Sequence, residues 1–239
     1  MTTIGVLSGC GGAGASVFAA VLAGCAGSDI GHTFLIDCDV TGGGIDVLLG
    51  CEQLPGPRWR QVRLRGGTLD PAVLRDGLPR WGEVSFLAAD DAQVLDPAVL
   101  GRVVDAAASV STVVLDLARW PSPLRQAALA RCDRTILIVP AEVRGVTASA
   151  LIAAGLDATS TAAMVRGSSR ALPTARIAQL LGLAVLAELP HDPASKSPAG
   201  LDVRRVRKQT RLAAAAVLDW CRSDSRSFAP AADRMAVPA

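Results

Sequence analysis

The fold is decided by nine residues near the amino end of the chain, Ser8-Gly9-Cys10-Gly11-Gly12-Ala13-Gly14-Ala15-Ser16. They follow an apolar run at residues 3–8 and precede a helical pattern at residues 16–27. Glycines at a strand-to-helix turn let successive backbone N–H groups and the helix N-terminus point at one anion. The stretch therefore predicts a phosphate-binding loop between the first strand and the first helix.

Two phosphate-binding patterns fit this loop. Gly9, Gly11 and Gly14 satisfy G-x-G-x-x-G, the fingerprint of dinucleotide-binding loops. Residues 9–16 also satisfy G-x-x-x-x-G-K-[ST], the loop of nucleoside triphosphatases, except that Ala15 stands where the lysine is expected. A glycine turn with no ligand is the third possibility, so the loop alone leaves all three open.

Acidic residues at two strand ends favour a nucleoside triphosphate. The second apolar run ends in Asp37-Cys38-Asp39, and a dinucleotide enzyme needs only one acid there, a role that Asp37 fits. A later run ends in Asp116, a carboxylate placed as those that hold Mg²⁺, with Ser16 supplying a hydroxyl. We predict Ser16, Asp39 and Asp116 as metal ligands.

Short apolar runs occur at residues 3–8, 33–37, 83–88, 112–117, 134–140, 162–166 and 184–189. Helical patterns alternate with them, near residues 16–27, 97–108, 122–132, 143–156 and 174–181. Continuous runs of Val, Ile and Leu suit strands covered by helices on both faces. We predict an α/β fold with an open, mostly parallel, doubly wound sheet of about seven strands. One domain is expected over residues 1–222, with a disordered tail over residues 223–239.

Composition argues against several classes of protein. The chain has 239 residues, of which 50% are hydrophobic and 19% charged, and its net charge is +2. These values disfavour disorder and a nucleic-acid-coating polycation. Six cysteines without a C-x-x-C pair and two histidines disfavour a structural zinc site or a disulfide framework. The first 28 residues carry no charged side chain, so a secretory signal lacks its positive amino end, and we expect a cytoplasmic protein.

This loop, the Asp37-Cys38-Asp39 strand end and the strand ending in Asp116 together resemble the MinD/ParA branch of P-loop ATPases, whose deviant loop reads K-G-G-x-G-K-[ST]. Residues 37–46, 57–59 and 139–144 resemble its CpaE/TadZ-like group, which includes actinobacterial septum-site-determining (Ssd) proteins. The resemblance implies ATP and Mg²⁺ binding and a spatial regulator of septum placement or of Tad-type pilus and secretion machinery. It also implies protein partners in that machinery, a homodimer, and a place at the inner face of the membrane.

The departures from the family concern its two loop lysines, which correspond to Ala15 and Cys10. One family lysine contacts the phosphates and the other reaches across a dimer. Loss of a charge-assisted hydrogen bond costs about 1.5–3 kcal/mol, and catalysis depends still more on such charges. We therefore expect weak nucleotide binding to outlast hydrolysis. The catalytic candidates are Asp116 and Asp39; Asp39 matches the family's water-orienting aspartate, and a magnesium or structural role explains it equally well.

Two arginines are candidates for the missing charge, because each follows a strand at the edge where an open sheet binds ligands. Arg119 lies three residues past Asp116, and Arg144 follows the run at 134–140; surface arginines at loop starts are the alternative. The family's base-binding asparagine is absent after Met164-Val165-Arg166-Gly167, so adenine recognition rests on Pro190. The candidate cofactor-binding residues are Gly9, Cys10, Gly11, Gly12, Ala13, Gly14, Ala15, Ser16, Asp37, Arg119, Arg144 and Pro190.

A last helix is predicted from apolar positions recurring at three and four residues between Val203 and Trp220. Its first half is basic, with Arg204, Arg205, Arg207, Lys208 and Arg211. A solvated face explains these charges, and a weak site for anionic lipid, DNA or an acidic partner is the alternative. Two other functions stay open for the chain: a nucleotide-independent scaffold of the same fold, and an NAD-binding oxidoreductase.

Overall fold

An eight-stranded sheet forms the centre of the protein. The computed structural model describes residues 1–63, 69–90, 95–167, 172–193, 197 and 199–223. The strands within these residues are β1 (Thr3–Ser8), β2 (Thr33–Cys38), β3 (Arg80–Trp81), β4 (Val84–Leu87), β5 (Thr112–Leu117), β6 (Arg134–Pro140), β7 (Thr161–Arg166) and β8 (Ala184–Leu189). Their order is β3-β4-β2-β5-β1-β6-β7-β8, and every neighbouring pair is parallel except β3 and β4.

Helices cover both faces of this sheet. They are α1 (Ala15–Ile30), α2 (Ile45–Leu49), α3 (Pro71–Gly77), α4 (Pro97–Ala108), α5 (Pro123–Leu129), α6 (Val143–Ala153), α7 (Thr174–Leu181) and α8 (Lys208–Arg222). Helices α1, α2 and α8 pack into one buried apolar cluster, and α3 to α7 pack into the other. The predicted α/β class with a mostly parallel, doubly wound sheet is confirmed.

The strands are continuously apolar because both of their faces are buried. In β1, Ile4 and Val6 join the cluster under α1, whereas Leu7 joins the cluster on the opposite face. Three helices on that second face begin at N-cap residues that are recognisable in the sequence. The side chains of Asp70, Asp96 and Ser122 each accept a hydrogen bond from a first-turn amide, and a proline follows each of them.

The strand prediction missed one element and the helix prediction missed two. The strand β3 has only two residues and pairs antiparallel at the edge of the sheet, so it carries no apolar run. Helices α2 and α3 have five and seven residues, too short to show a 3.6-residue period. The predicted tail is described only up to Ser223, and its remaining residues, 224–239, lie outside the described residues.

The last helix begins later than its periodicity predicts. Val203–Arg205 form a 3-10 turn, and α8 begins at Lys208. Two aspartates cause the break: Asp202 accepts a hydrogen bond from the Arg204 amide, and Asp192 accepts one from the Arg207 amide at 2.8 Å. Arg204 and Arg205 therefore lie before α8 instead of within its first half.

The order of the strands positions the site. The chain passes from β1 to β2 on one side, returns through β5, and continues to β6 on the other side of β1. In open parallel sheets, ligands bind at the carboxyl ends of the strands where the direction of the chain reverses. The glycine loop follows β1 at that point.

Candidate functional site

The beginning of the glycine loop is seated on helix α6. The Gly9 amide donates to the Ile138 carbonyl of β6 at 3.2 Å. A Cβ atom at Gly9 would lie 2.7 Å from the Cα of Ser149, which is closer than real Cβ contacts come. The contact requires glycine at this position and fixes where the loop leaves the sheet.

The rest of the loop faces open space. A Cβ atom at Gly11 or Gly12 would meet nothing within 4 Å. Gly12 and Gly14 have φ angles of 73° and 89°, the left-handed region in which glycine is favoured. Gly14 is also the residue from which helix α1 begins.

The amide groups of this part of the loop are free to bind an anion. The next backbone amide with an acceptor after Gly9 is that of Phe18, which donates to the Gly14 carbonyl at 3.0 Å. For the amides of residues 10–17, no acceptor is found among the described residues. Free N–H groups in sequence at a helix start form an anion-binding concavity.

Two carboxyl groups lie side by side below the loop. Asp37 of β2 and Asp116 of β5 are register partners, and the two residues are 2% and 4% exposed. Burial raises the pKa of Asp37 to about 6, and the charge of Asp39 acts in the same direction. Burial, together with the nearby charge of Asp37, holds the pKa of Asp116 well above its usual range. A hydrogen bond from Ser16 acts in the opposite direction on Asp116. Among the described residues, neither carboxyl has an ion-pair partner, so a bound cation would stabilise both.

The Asp37 carboxylate organises the backbone around it. Its Oδ1 accepts a hydrogen bond from the Asp39 amide at 3.0 Å, and its Oδ2 accepts from the amides of Ile45 and Ala89 at 3.0 and 3.2 Å. These bonds tie together the end of β2, the start of α2 and the residues after β4. Asp37 is thus a positioning residue, and this use of both oxygens disfavours a ribose-binding role.

Asp39 is half-buried and lines the same cavity as Asp116. Its Oδ1 accepts hydrogen bonds from the Thr41 amide and the Thr41 hydroxyl, at 3.2 and 2.7 Å. Its Oδ2 has no hydrogen-bond partner among the described residues and stays available to a metal or to water.

The predicted residues converge on a cavity of 660 Å³. Its lining includes Gly11, Gly12, Gly14, Ala15, Ser16, Asp37, Asp39, Asp116 and Arg119. The lining also includes Trp120 and Arg166, neither of which was predicted as a site residue. The Arg119 guanidinium stacks on the Trp120 ring at 4.2 Å, and Trp120 is 66% exposed.

The structure places four other predicted residues outside this cavity. Gly9 lies at the base of the loop, and Cys10 and Ala13 line a second cavity of 340 Å³ on the far side of the loop, together with Glu142 and His191. Pro190 is half-buried and lines neither cavity.

Arg144 also lies outside both cavities. It is exposed in the first turn of α6.

Arg166 lies at the candidate site although it was not predicted there. It is the last residue of β7, and its Nη1 donates to the Ala13 carbonyl of the loop at 2.6 Å. It lines both cavities. The sequence does place Arg166 at the carboxyl end of a predicted strand, the edge of the sheet where the loop lies. Whether its side chain contacts the loop depends on the strand order, which the sequence does not reveal.

A buried ion pair holds the segment that follows β2. The Arg58 Nε lies 2.8 Å from Asp46 Oδ2, and the Arg58 side chain also donates to three backbone carbonyls. The next residue, Trp59, donates from Nε1 to the Asp37 carbonyl at 2.6 Å. Through these contacts, residues 57–59 support the segment 37–46, which lines one edge of the cavity.

The basic residues before and within α8 are partly neutralised. Arg204 and Arg205 lie 3.2 and 4.0 Å from the Asp202 carboxylate. The Arg211 Nη1 donates to the Arg204 carbonyl at 3.1 Å, whereas Arg207 and Lys208 are exposed. Among the helices that the structure describes, none combines the length and the apolar character needed to cross a bilayer.

The donor set of the cavity fits Mg²⁺ bound together with phosphate. Across the described part of the chain, no group of three or more His, Cys, Asp or Glu side chains is arranged to hold a metal alone. Mg²⁺ typically takes one or two carboxylates and completes its shell with phosphate oxygens and water. Asp116, Asp39 and the Ser16 hydroxyl supply only oxygen ligands, as this ion prefers.

No protein-family profile matches the sequence. An uncharacterized protein from two strains of Mycobacterium tuberculosis is 36% identical over 218 residues, which covers 89% of this chain and 61% of the relative. The chain therefore spans about three fifths of the length of the curated relatives it matches.

Solved structures of ParA and MinD proteins have the same fold. A ParA family ATPase from Chlorobium tepidum superposes with a TM-score of 0.75 and 14% identity, over 95% of this chain and 99% of that one. MinD from Pyrococcus horikoshii, complexed with Mg-ADP, gives 0.69 and 18%, over 95% and 99%. The MinC:MinD complex of Aquifex aeolicus gives 0.71 and 15%, over 92% and 96%. At these identities, the likeness establishes the fold alone.

Proposed function

We propose that this chain, which has the fold of the ParA and MinD ATPases, binds ATP with Mg²⁺ and acts as a spatial regulator through protein partners. One observation carries the proposal. Free loop amides and two unpaired, buried carboxyl groups face each other across a single cavity. The amides fit an anion and the carboxyls fit a cation, which together match a metal-bound polyphosphate.

Each part of the site has a role in this proposal. The amides of residues 11–16 bind the phosphates, and Ser16, Asp39 and Asp116 hold the metal. When bound, Mg²⁺ neutralises charge on the phosphate oxygens. Asp37 keeps the loop after β2 in position through its three amide contacts.

Hydrolysis is weak or absent in this proposal. Ala15 lines the cavity without a charge, and Cys10 lies on the far side of the loop. A preorganised cation at the reacting phosphate contributes about 10²–10³ in rate, and one supplied across an interface about 10³–10⁵. Asp39 has one carboxylate oxygen available at the cavity, which would either hold the metal or orient an attacking water.

The cellular role that we propose is control of septum placement or of Tad-type pilus and secretion machinery. The resemblance at residues 37–46, 57–59 and 139–144 supports it, and MinD of Aquifex aeolicus forms a complex with MinC. Val47 and Trp120, 59% and 66% exposed, flank the cavity mouth and suit contact with a protein partner or a second copy. We place the protein in the cytoplasm, at the inner face of the membrane.

Calorimetric titration of the purified protein with ATP, ADP and NADH, with and without Mg²⁺, tests the binding proposal. We expect ATP binding that requires Mg²⁺ and that Asp116→Asn abolishes. Asp76→Asn, which changes an exposed acid on α3, is the matched control and retains binding. NADH binding that is indifferent to Mg²⁺ contradicts the proposal. Phosphate release measured in parallel gives the rate of hydrolysis.

A nucleotide-independent scaffold of the same fold is the second candidate. The absence of a positive charge at both Ala15 and Cys10 favours it, because these positions carry the family's phosphate-binding lysines. Failure of the wild-type chain to bind ATP at millimolar concentration, with the fold intact by circular dichroism, selects the scaffold over the ATP-binding protein.

A further inference from the structure

Arg166 brings a positive charge onto the glycine loop. Its Nη1 donates to the Ala13 carbonyl at 2.6 Å. The same nitrogen lies 1.8 Å from the position that a Cβ atom on Gly14 would occupy. The guanidinium therefore lies directly against the residue from which α1 begins, and it also borders the cavity that holds Ser16 and Asp116.

The charge of Arg166 is not neutralised by the protein. Within the described part of the chain, no carboxylate lies within ion-pair distance of it, and Nη2 lies 3.5 Å from the Nδ1 of His191. The N-terminus of a helix carries a partial positive charge, so a cation beside α1 is electrostatically unfavourable without an anion. The free loop amides carry partial charge of the same sign.

We propose that Arg166 binds the phosphate chain of the nucleotide and replaces, in space, the lysine that Ala15 lacks. The proposal rests on the ATP binding proposed above. Guanidinium carries five N–H donors in a planar fork that matches phosphate oxygens. The contacts to Ala13 and His191 use two of them and hold the side chain in place before any ligand arrives.

Arg119 is the other arginine of the cavity, and its position is less suited to this role. Its guanidinium is stacked on the ring of Trp120, an exposed side chain at the cavity mouth. Arg166 instead contacts the loop itself. The lysine's role therefore belongs to the arginine that ends β7 rather than to the one that follows β5.

Titration calorimetry with Mg-ATP on Arg166→Gln tests the assignment. Glutamine keeps an amide donor for the Ala13 carbonyl but removes the charge. We expect affinity to fall about tenfold to a hundredfold, the usual loss for one charge-assisted hydrogen bond. The matched control is Arg176→Gln, which changes an exposed arginine on α7 and leaves affinity unchanged. Unchanged affinity in Arg166→Gln overturns the assignment, as does an equal loss in the control.

Two further measurements separate phosphate binding from a structural role. Tripolyphosphate, which lacks base and ribose, must lose affinity for Arg166→Gln by a similar factor. Ala15→Lys, added to Arg166→Gln, must restore Mg-ATP affinity because it returns a cation to the loop. Loss of Mg-ATP affinity in Arg166→Gln without loss of tripolyphosphate affinity overturns the proposal. The proposal is also wrong if the Ala15→Lys, Arg166→Gln double variant unfolds at the wild-type temperature and still fails to regain Mg-ATP affinity.

The experiment distinguishes failure of this inference from failure of the proposed function. If the wild-type chain binds neither Mg-ATP nor tripolyphosphate, ATP binding itself is wrong and Arg166 has no phosphate to hold. If the wild-type chain binds both and Arg166→Gln binds them equally well, only the role of Arg166 is wrong.

Discussion

At the scale of the residue, Asp116 is expected to oppose the stability of the ligand-free protein and to serve the proposed metal binding. Its carboxyl is buried beside that of Asp37, with only the Ser16 hydroxyl favouring the charged form. A buried charge without a counter-charge is costly, and active sites retain such groups because a ligand neutralises them. A variant with a neutral side chain at this position is therefore expected to gain stability and to lose metal binding.

We predict that Asp116→Asn stabilises the ligand-free protein at pH 7.5 while removing Mg²⁺-dependent ATP binding. Asparagine has the same shape without the buried charge, so the free energy of unfolding should rise. Urea denaturation measures the change. Asp76→Asn on exposed α3 should stay within about 0.5 kcal/mol of the wild type. A less stable Asp116→Asn protein contradicts the prediction.

The pKa of Asp37, raised to about 6 by burial, predicts a pH dependence of stability. Because the folded pKa exceeds the unfolded one, the stabilising contribution is complete below pH 4 and is lost as the pH rises to about 6. The wild type should therefore lose about 2–3 kcal/mol relative to Asp37→Asn between pH 4 and pH 7. Urea denaturation across this range measures the difference. A difference that grows in the opposite direction shows that the carboxyl is ionised in the folded state at low pH.

Sequence could identify the acidic residues of the site but not its nearest arginine. Asp37 and Asp116 end apolar strands in a parallel sheet, and the carboxyl ends of such strands meet at one edge. Arg144 follows a strand in the same way, yet its side chain is exposed on α6. Arg166 reaches the loop across β6 because β7 is the second strand from β1, an order that no local pattern encodes.

At the scale of the element, the glycine loop has a tight base and an open tip. Gly9 is packed against the backbone of α6, whereas Gly11 faces the cavity. We predict that Gly9→Ala lowers the free energy of unfolding by about 1–3 kcal/mol, the usual cost of overpacking. Gly11→Ala, which meets no neighbouring atom, should leave stability nearly unchanged and weaken ATP binding by filling the cavity. Thermal unfolding and ATP titration of both variants check the pair; equal stability of the two variants contradicts the packing described for α6.

The segment after β2 depends on one buried ion pair. We predict that Arg58→Ala lowers the free energy of unfolding by about 3–5 kcal/mol, because it leaves Asp46 charged and buried without a partner. Arg60→Ala removes a neighbouring arginine that pairs with Asp90 and whose own side chain is 56% exposed, and it should cost less than about 1 kcal/mol. Urea denaturation measures both. Similar losses in the two variants mean that burial of the Arg58 pair does not matter.

The predictability of an element followed the clarity of its apolar pattern. Elements with a clear pattern were predicted close to their observed limits, as for β1 and α4. The helix α2 was missed because five residues carry no period, and its place is set by Asp37, whose carboxylate accepts from the Ile45 amide. Helix α8 was extended too far because its apolar spacing continues through a turn that Asp192 and Asp202 interrupt.

At the scale of the whole molecule, the alternation of apolar runs with helical patterns predicts the fold class, whereas the order of the strands determines where the site lies. Apolar runs alternating with helical patterns require crossover connections, which produce a parallel sheet covered on both faces. The strand order then places the ends of β1, β2, β5 and β7 around one cavity. The order itself was not predicted, since many orders satisfy the same pattern of strands and helices.

The antiparallel pairing of β3 with β4 has a consequence for how molecules of this protein meet one another. A parallel sheet that ended at β4 would present a row of unpaired N–H and C=O groups to any strand in solution. β3 covers that row with two residues, and its chain direction is opposite to that of the sheet. So short an outer strand gives a foreign chain little backbone to pair with, which protects this edge against aggregation.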